Sequence, residues 1–374
     1  MPKNVVICCD GTANEFAKDV TNAIKLFRTL VLNTSRQIGF YHPGVGTMEP
    51  PGALTPFRGR IMRLLGKAMG GGLEDDIRDA YVFLMRTFEP GDRLFLLGFS
   101  RGAYTVRALA SLLHMYGLIR PDNEPLVPYA IRMLVGIHRA HKKTLLQRLH
   151  LKQQTDIRAL FKLATDFKAL FCQTACRPHF IGVWETVSSV GWVGNPLTLP
   201  YSSDNPDIAI GRHAIAIDER RAFFRSNLWH PTPTGGPQDV KQVWFPGVHC
   251  DVGGGYPENE SGLSKIALEW MLKEAIAAGI YTDPVKVDEV LGRSGGDYSP
   301  PDPKAKLHCS LTPSWWPAEF IPKPHYNWKK RKEEYRANLF RRRTIPPAAL
   351  VHQSAFARGE KYARKIPSDA VPVS

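Results

Sequence analysis

The stretch "LFLLGFSRGAYTVRALASLL", residues 94–113, constrains the chain more than any other. Leu94–Leu97 form an apolar run of strand character, and from Ala103 to about Tyr116 apolar residues recur at helical spacing. Only Gly98-Phe99-Ser100-Arg101-Gly102 separates the two. A strand that enters a helix so abruptly turns too tightly for side chains two residues either side of its centre, and those positions hold Gly98 and Gly102. As a string Gly-x-Ser-x-Gly is common; between a strand and a helix it predicts an elbow that raises the Ser100 hydroxyl above the sheet edge. At that helix N-terminus the Arg101 amide is positioned to donate to an oxyanion.

The rest of the chain reads as the matching scaffold. "NVVICC" (4–9) is a short buried strand, Thr21-Asn22 suits a helix start before "AIKLFRTL", and "QIGFYHPGVGT" (37–47) is a strand with a glycine-rich exit. Ile77, Ala80, Tyr81 and Leu84 mark one face of a helix. Residues 120–171 turn basic and leucine-rich, with Ile157, Leu160, Phe161, Ala164, Phe167 and Phe171 in one apolar stripe, and predict a helical insertion. "HFIGVWETV" (179–187) and "QVWFPGV" (242–248) predict strands, "HAIAIDERRAFF" (213–224) a helix, and "LSKIALEWMLKEAIAAG" (263–279) an amphipathic helix closed by Gly279. Strands alternating with helices predict an α/β-hydrolase-like, mostly parallel sheet flanked by helices. The expected organisation is a catalytic domain over 1–283, carrying the insertion at about 120–171 as a cap, and a largely irregular C-terminal extension over 284–374 packed on it.

A nucleophilic serine needs a base, and the base an orienting carboxylate, in the chain order serine, acid, histidine. Of the 12 histidines, His249 is best placed, ending the apolar strand and opening "HCDVGGGY". His179 starts its strand and belongs at the sheet's opposite edge, and His213 falls in the expected helix. For the acid, Glu185 stands at the carboxyl end of "FIGVWE", with Asp218 and Asp251 as alternatives. Arg220 and Arg221 suggest an ion pair for Asp218, and the glycine loop suggests backbone hydrogen bonds for Asp251. "CCDGTANE" offers a second oxyanion donor in the amide of Gly11 or Thr12, with Asp10 bracing the turn. The same "DGT" is the tail of the phosphatase signature Asp-x-Asp-Gly-Thr, but Cys8 replaces the nucleophilic Asp and cannot act as a magnesium-bound carboxylate.

The glycine runs 44–47 and 70–73 lack the Lys-Ser/Thr ending of a phosphate loop. Six cysteines form no CxxC pair or zinc spacing and predict free thiols, with Cys172 and Cys176 on one helix face; no metal or cofactor is expected. The opening apolar run is too short for a signal core, and nothing approaches the roughly 20 apolar residues of a spanning helix, so the expected location is cytoplasmic unless export reads no N-terminal signal. The net charge of +14 concentrates in "HRAHKKTLLQRLHLK" (138–152) and "WKKRKEEYRANLFRRR" (328–343). Such tracts attract phosphate or serve as solvated faces, and the absence of a nucleic-acid motif argues against nucleic acid.

Taken in order, "CDGTANE", "TNAIKL", "YHPGVGT", "IRDAYVFL", "GFSRGAYTVRALA", "IGVWETVSSVG", "HAIAIDERRAFF" and "PGVHCDVGGGY" resemble an uncharacterised α/β-hydrolase family. That family includes the catalytic domains of type VI secretion phospholipase effectors of the Tle type. The resemblance spans roughly residues 3–280 and, through "ALVHQSAFAR", part of the C-terminal region. It implies a Ser-His-acid hydrolase of lipids or other esters, with Ser100 and His249 in the family's serine and histidine motifs and a secretion or immunity protein as partner. Basic tracts touching an anionic membrane fit the same picture. Two departures stand out: Glu185 occupies a position where the family motif has Asp, and Cys250 one where serine is usual. The longer Glu185 side chain demands a shifted backbone or rotamer, which leaves a catalytically weak or inactive binding module as the alternative expectation.

Overall fold

The computed structural model describes residues 2–11, 20–33, 35–44, 71–141, 157–187, 191–192, 195–196, 198–230, 238–327 and 332–374. Thr12, the centre of the basic insertion (142–156) and the start of the second basic tract (328–331) lie outside the described residues.

The strands are β1 (Asn4–Cys9), β2 (Gln37–His42), β3 (Arg93–Phe99), β4 (Pro178–Trp184), β5 (Ile210–Ala216), β6 (Asp239–Phe245), β7 (Leu350–His352) and β8 (Val371–Val373). They form one 8-stranded sheet in the order β2-β1-β3-β4-β5-β6-β7-β8, and every pairing in it is parallel. The strand order reverses between β1 and β3. In open α/β sheets the carboxyl ends at such a switch point border a crevice. Asp10 follows β1 and Ser100 follows β3, so both candidate turns open into that crevice.

Alternation along β1 explains the layers. Val5, Ile7 and Cys9 face one core, built with helices α2 (Gly71–Thr87), α3 (Arg101–Tyr116), α4 (Val127–His141) and α5 (Ile157–Phe171). Val6 and Cys8 face the other, with α1 (Asn22–Thr29) and α7 (Gly262–Ala277), while α6 (His249–Gly253) lies beyond the end of β6. Both faces being covered, β1, β3 and β4 are mostly apolar, as expected of buried parallel strands. The expected stripe of the insertion is spent inside the protein: Ala164 and Phe167 are buried, and Leu160, Phe161 and Phe171 pack against the first core.

Two expectations are corrected. Residues 213–224 are not a helix; "HAIAI" continues β5 between β4 and β6, and turns follow it. A run apolar on every side carries no period by which to tell a strand from a helix. Cys172 and Cys176 share no helix face, since Cys172 begins a short strand (Cys172–Thr174) and Cys176 lies in irregular chain. Beyond residue 284, β7 and β8 extend the sheet beside β6, and a third apolar cluster joins Ile345, Val351, Tyr362 and Ile366 to Ile215, Ile217 and Trp244.

Candidate active site

Ser100 sits between β3 and α3 at φ 57°, ψ −117°, a conformation rarely adopted by residues other than glycine. The crowding that enforces it is measurable. A Cβ placed on Gly98 would come within 2.7 Å of the Gly102 carbonyl oxygen, and one on Gly102 within 2.1 Å of the Cys9 carbonyl oxygen. The Ser100 amide donates to the Trp184 carbonyl at 3.0 Å, and the Val187 amide donates to the Ser100 carbonyl at 3.1 Å, tying the elbow to the end of β4.

His249, at the start of α6, brings Nε2 to 2.9 Å from Ser100 Oγ and Nδ1 to 3.0 Å from Glu185 Oε2. An ionised carboxylate only accepts, so Nδ1 carries the proton, and Nε2 accepts from the Ser100 hydroxyl. The imidazole is buried between the rings of Phe99 and Phe224, each 4.8 Å away by centroid. Burial pushes its pKa below the ordinary value, against the raising effect of the Glu185 carboxylate. The imidazole is therefore held neutral at neutral pH.

Glu185 stands directly after β4 with its backbone at φ 49°. Its Oε1 accepts from the Ala216 amide at 2.6 Å, and Arg343 grips both oxygens, Nη1 to Oε1 at 2.6 Å and Nη2 to Oε2 at 3.0 Å. Burial alone would raise the carboxyl pKa; the Arg343 charge and the His249 hydrogen bond outweigh it and hold the group at about 2. A second buried carboxylate, Glu219, accepts from the His249 amide at 3.2 Å and from Arg221 Nη2 at 2.9 Å. The Arg221 guanidinium lies 3.4 Å from the centroid of Phe224. Two carboxylate–guanidinium pairs thus flank one histidine. Arg343, Glu219 and Phe224 escaped the sequence reading, and Arg221, read there as a partner for Asp218, pairs with Glu219 instead; Arg343 is the third of three consecutive arginines, and nothing local distinguishes it from its neighbours.

The other named residues fall as follows. Asp218 points away from His249, accepting from the Gly247 amide at 3.0 Å, from Lys365 Nζ at 2.7 Å and from the Tyr362 hydroxyl, so its cation is Lys365 rather than Arg220 or Arg221. Asp251 accepts from the Val248 amide at 2.9 Å and faces His308 Nδ1 at 2.6 Å. Asp10 braces its turn through Thr21 Oγ1 at 2.5 Å and the Tyr41 hydroxyl at 2.8 Å. Gly11 packs so close that an added Cβ would lie 3.2 Å from Ser100 Cβ. Its amide donates to Asp10 Oδ1 at 2.6 Å. The Arg101 amide heads α3, where the peptide dipoles concentrate positive charge. His213 lies within β5, and His179 at the start of β4 meets the Ala278 carbonyl at 3.0 Å, far from the carboxyl ends. Among the described residues no group of three or more His, Cys, Asp or Glu side chains is arranged to hold a metal ion, and no helix is long and apolar enough to cross a membrane.

A family model for the type VI secretion phospholipase effector Tle1-like catalytic domain matches residues 3–274. An uncharacterized protein of Saccharomyces cerevisiae is 31% identical over 238 residues, which is 62% of this chain and 33% of that protein. Two solved structures are similar. One, an uncharacterized protein from Pseudomonas aeruginosa, has a TM-score of 0.40 and 19% identity over 76% of this chain and 48% of that one. The other, the Tle1 effector bound to the VgrG spike from the Type 6 secretion system, has a TM-score of 0.36 and 17% identity over 70% of this chain and 53% of that one. The match thus spans a third of the curated relative's length and about half of each solved chain.

Proposed function

This chain belongs to the family of Tle1-like phospholipase effector catalytic domains, and we propose that it is a serine hydrolase of carboxylic esters, with glycerophospholipids as substrates. The observation that carries the reading is the unbroken line from Ser100 Oγ through His249 to Glu185, with contacts of 2.9 and 3.0 Å, at the switch point of a parallel sheet. In this mechanism Ser100 Oγ attacks the acyl carbonyl carbon while His249 Nε2 takes its proton, and Glu185 stabilises the imidazolium. The negative charge on the carbonyl oxygen is received by the Arg101 amide. Collapse of the tetrahedral intermediate breaks the C–O bond, and the alkoxide leaves with the proton from His249. Water, deprotonated by the same nitrogen, then releases the fatty acid and restores Ser100. Membership among type VI secretion effectors also supports a protein partner of the secretion or immunity kind.

One observation favours a second reading, a binding module on the same scaffold. The Arg343 guanidinium on Glu185 offsets the charge that would stabilise an imidazolium. Intact-mass analysis after fluorophosphonate treatment separates the two. A single adduct, absent in Ser100→Ala, is the expected result. No adduct on folded protein would overturn the hydrolase reading in favour of the binding module.

A further inference from the structure

The turn Asn338-Leu339-Phe340-Arg341 carries two consecutive non-glycine residues in the left-handed region, Leu339 at φ 49° and Phe340 at φ 61°. Such backbone persists only where its surroundings over-determine it. Here the determinant is Glu319, a fully buried carboxylate. Its Oε2 accepts from Asn338 Nδ2 at 2.5 Å and from the Phe340 amide at 3.0 Å, its Oε1 accepts from the Ala222 amide at 2.5 Å, and its carbonyl accepts from the Leu339 amide at 3.0 Å. Arg220 Nε closes the turn on the Phe340 carbonyl at 2.8 Å.

This network holds apolar side chains out in water. Trp316 and Phe320 pack edge-on against Phe340, each at 5.7 Å by centroid. Trp316, Phe320, Leu339 and Tyr335 are nevertheless 49%, 59%, 45% and 71% exposed. Three exposed arginines, Arg336, Arg341 and Arg342, flank them. The cluster is continuous with the candidate site: Trp316 adjoins Trp315, whose ring lies 5.5 Å from Phe224, and Phe224 lies 4.8 Å from His249. A strained turn that exposes aromatics among arginines, two rings away from the candidate base, is built to meet something both apolar and anionic.

We infer that this aromatic–arginine platform docks the protein on an anionic phospholipid surface. Tryptophan and phenylalanine enter the headgroup and acyl boundary, and arginines pair with lipid phosphates. The choice of partner rests on the lipid-ester reading of the site, and charge complementarity selects the anionic surface. The helical insertion, whose apolar stripe is packed against the core, is a poorer candidate for this contact.

The test uses the full chain with Ser100→Ala, so that no lipid is consumed, and co-sedimentation with vesicles of phosphatidylglycerol and phosphatidylcholine or of phosphatidylcholine alone. Tighter binding to the anionic vesicles is expected. Trp316→Ser, Phe320→Ser and Leu339→Ser together should weaken it at least about 30-fold. Arg341→Glu with Arg342→Glu should weaken it about 25-fold and erase the preference for anionic vesicles. In the Ser100 protein the same surface variants should keep their melting temperature and their turnover of a water-soluble short-chain ester. Vesicle binding that is absent, or unchanged by both sets of substitutions, overturns the platform while soluble-ester turnover leaves the hydrolase intact. A concentration-dependent dimer dissolved by the apolar substitutions, without vesicle binding, overturns it in favour of self-association. Binding without turnover of any ester would instead leave the platform standing and remove the hydrolase.

Discussion

Arg343 holds both carboxylate oxygens of Glu185, at 2.6 and 3.0 Å, from 158 residues further along the chain. The family match ends at residue 274, so this contact comes from a segment outside it. The guanidinium fixes the longer acid in one rotamer and keeps it ionised, and it also dilutes the negative charge that His249 feels.

Removing Arg343 should therefore leave a pH signature that a mere packing defect would not. The Glu185 carboxyl lies at about 2 in the folded protein against an ordinary 4.5, so its contribution to stability is present above about 4.5 and lost as pH falls toward 2. Arg343→Met should cost about 3 kcal/mol at pH 7. The melting-temperature gap to the parent should narrow between pH 5 and about 3. A gap constant across that range would assign Arg343 a packing role alone.

The choice of acid is open to a direct comparison. Glu185→Gln should lower kcat about 10³- to 10⁴-fold, as loss of a histidine-orienting carboxylate does elsewhere. Asp218→Asn should lower the melting temperature, through its bonds to Tyr362 and Lys365, with kcat changed by less than about 3-fold. Full turnover by Glu185→Gln, with loss in Asp218→Asn, would reverse the assignment.

As the proposed base, His249 must be neutral, and burial lowers its pKa from the ordinary 6.5. The acid limb of kcat/KM on a soluble ester should accordingly lie below pH 6.5. Reducing the positive charge nearby with Arg221→Gln should move that limb upward, since Arg221 is among the groups that depress the histidine. A limb above 6.5 in the parent would contradict a buried histidine base.

Two glycines should respond oppositely to the same substitution. Gly102→Ala places a Cβ 2.1 Å from the Cys9 carbonyl oxygen, where both partners are backbone, and should cost at least about 3 kcal/mol. Gly136→Ala, in α4 with nothing within 4 Å of the new Cβ, should stabilise by up to about 1 kcal/mol. Thermal melts of the two variants read this directly. A neutral Gly102→Ala would mean that the elbow is looser than its contacts require.

What the amino-acid sequence determined by itself is what short-range sterics and periodicity encode. The strand into Gly98 and the helix out of Gly102 follow from the volumes of neighbouring side chains, and β3 and α3 stand at those positions. The apolar spacing of α2 and α5 marked their buried faces in the same way. Tertiary structure alone decided the rest. "HAIAI" became a strand because β4 and β6 pair with it on either side, an interaction invisible to a uniformly apolar run. The sequence offered three carboxylates for the histidine, and only the fold turns Glu185 toward Nδ1 while drawing Asp218 to Lys365 and Asp251 to His308. Arg343 reaches Glu185 because the chain returns after residue 284 to add β7 and β8 beside β6. A hydrogen bond between groups so distant in sequence leaves no local trace, since neither its partner nor its burial exists until the sheet has closed around both.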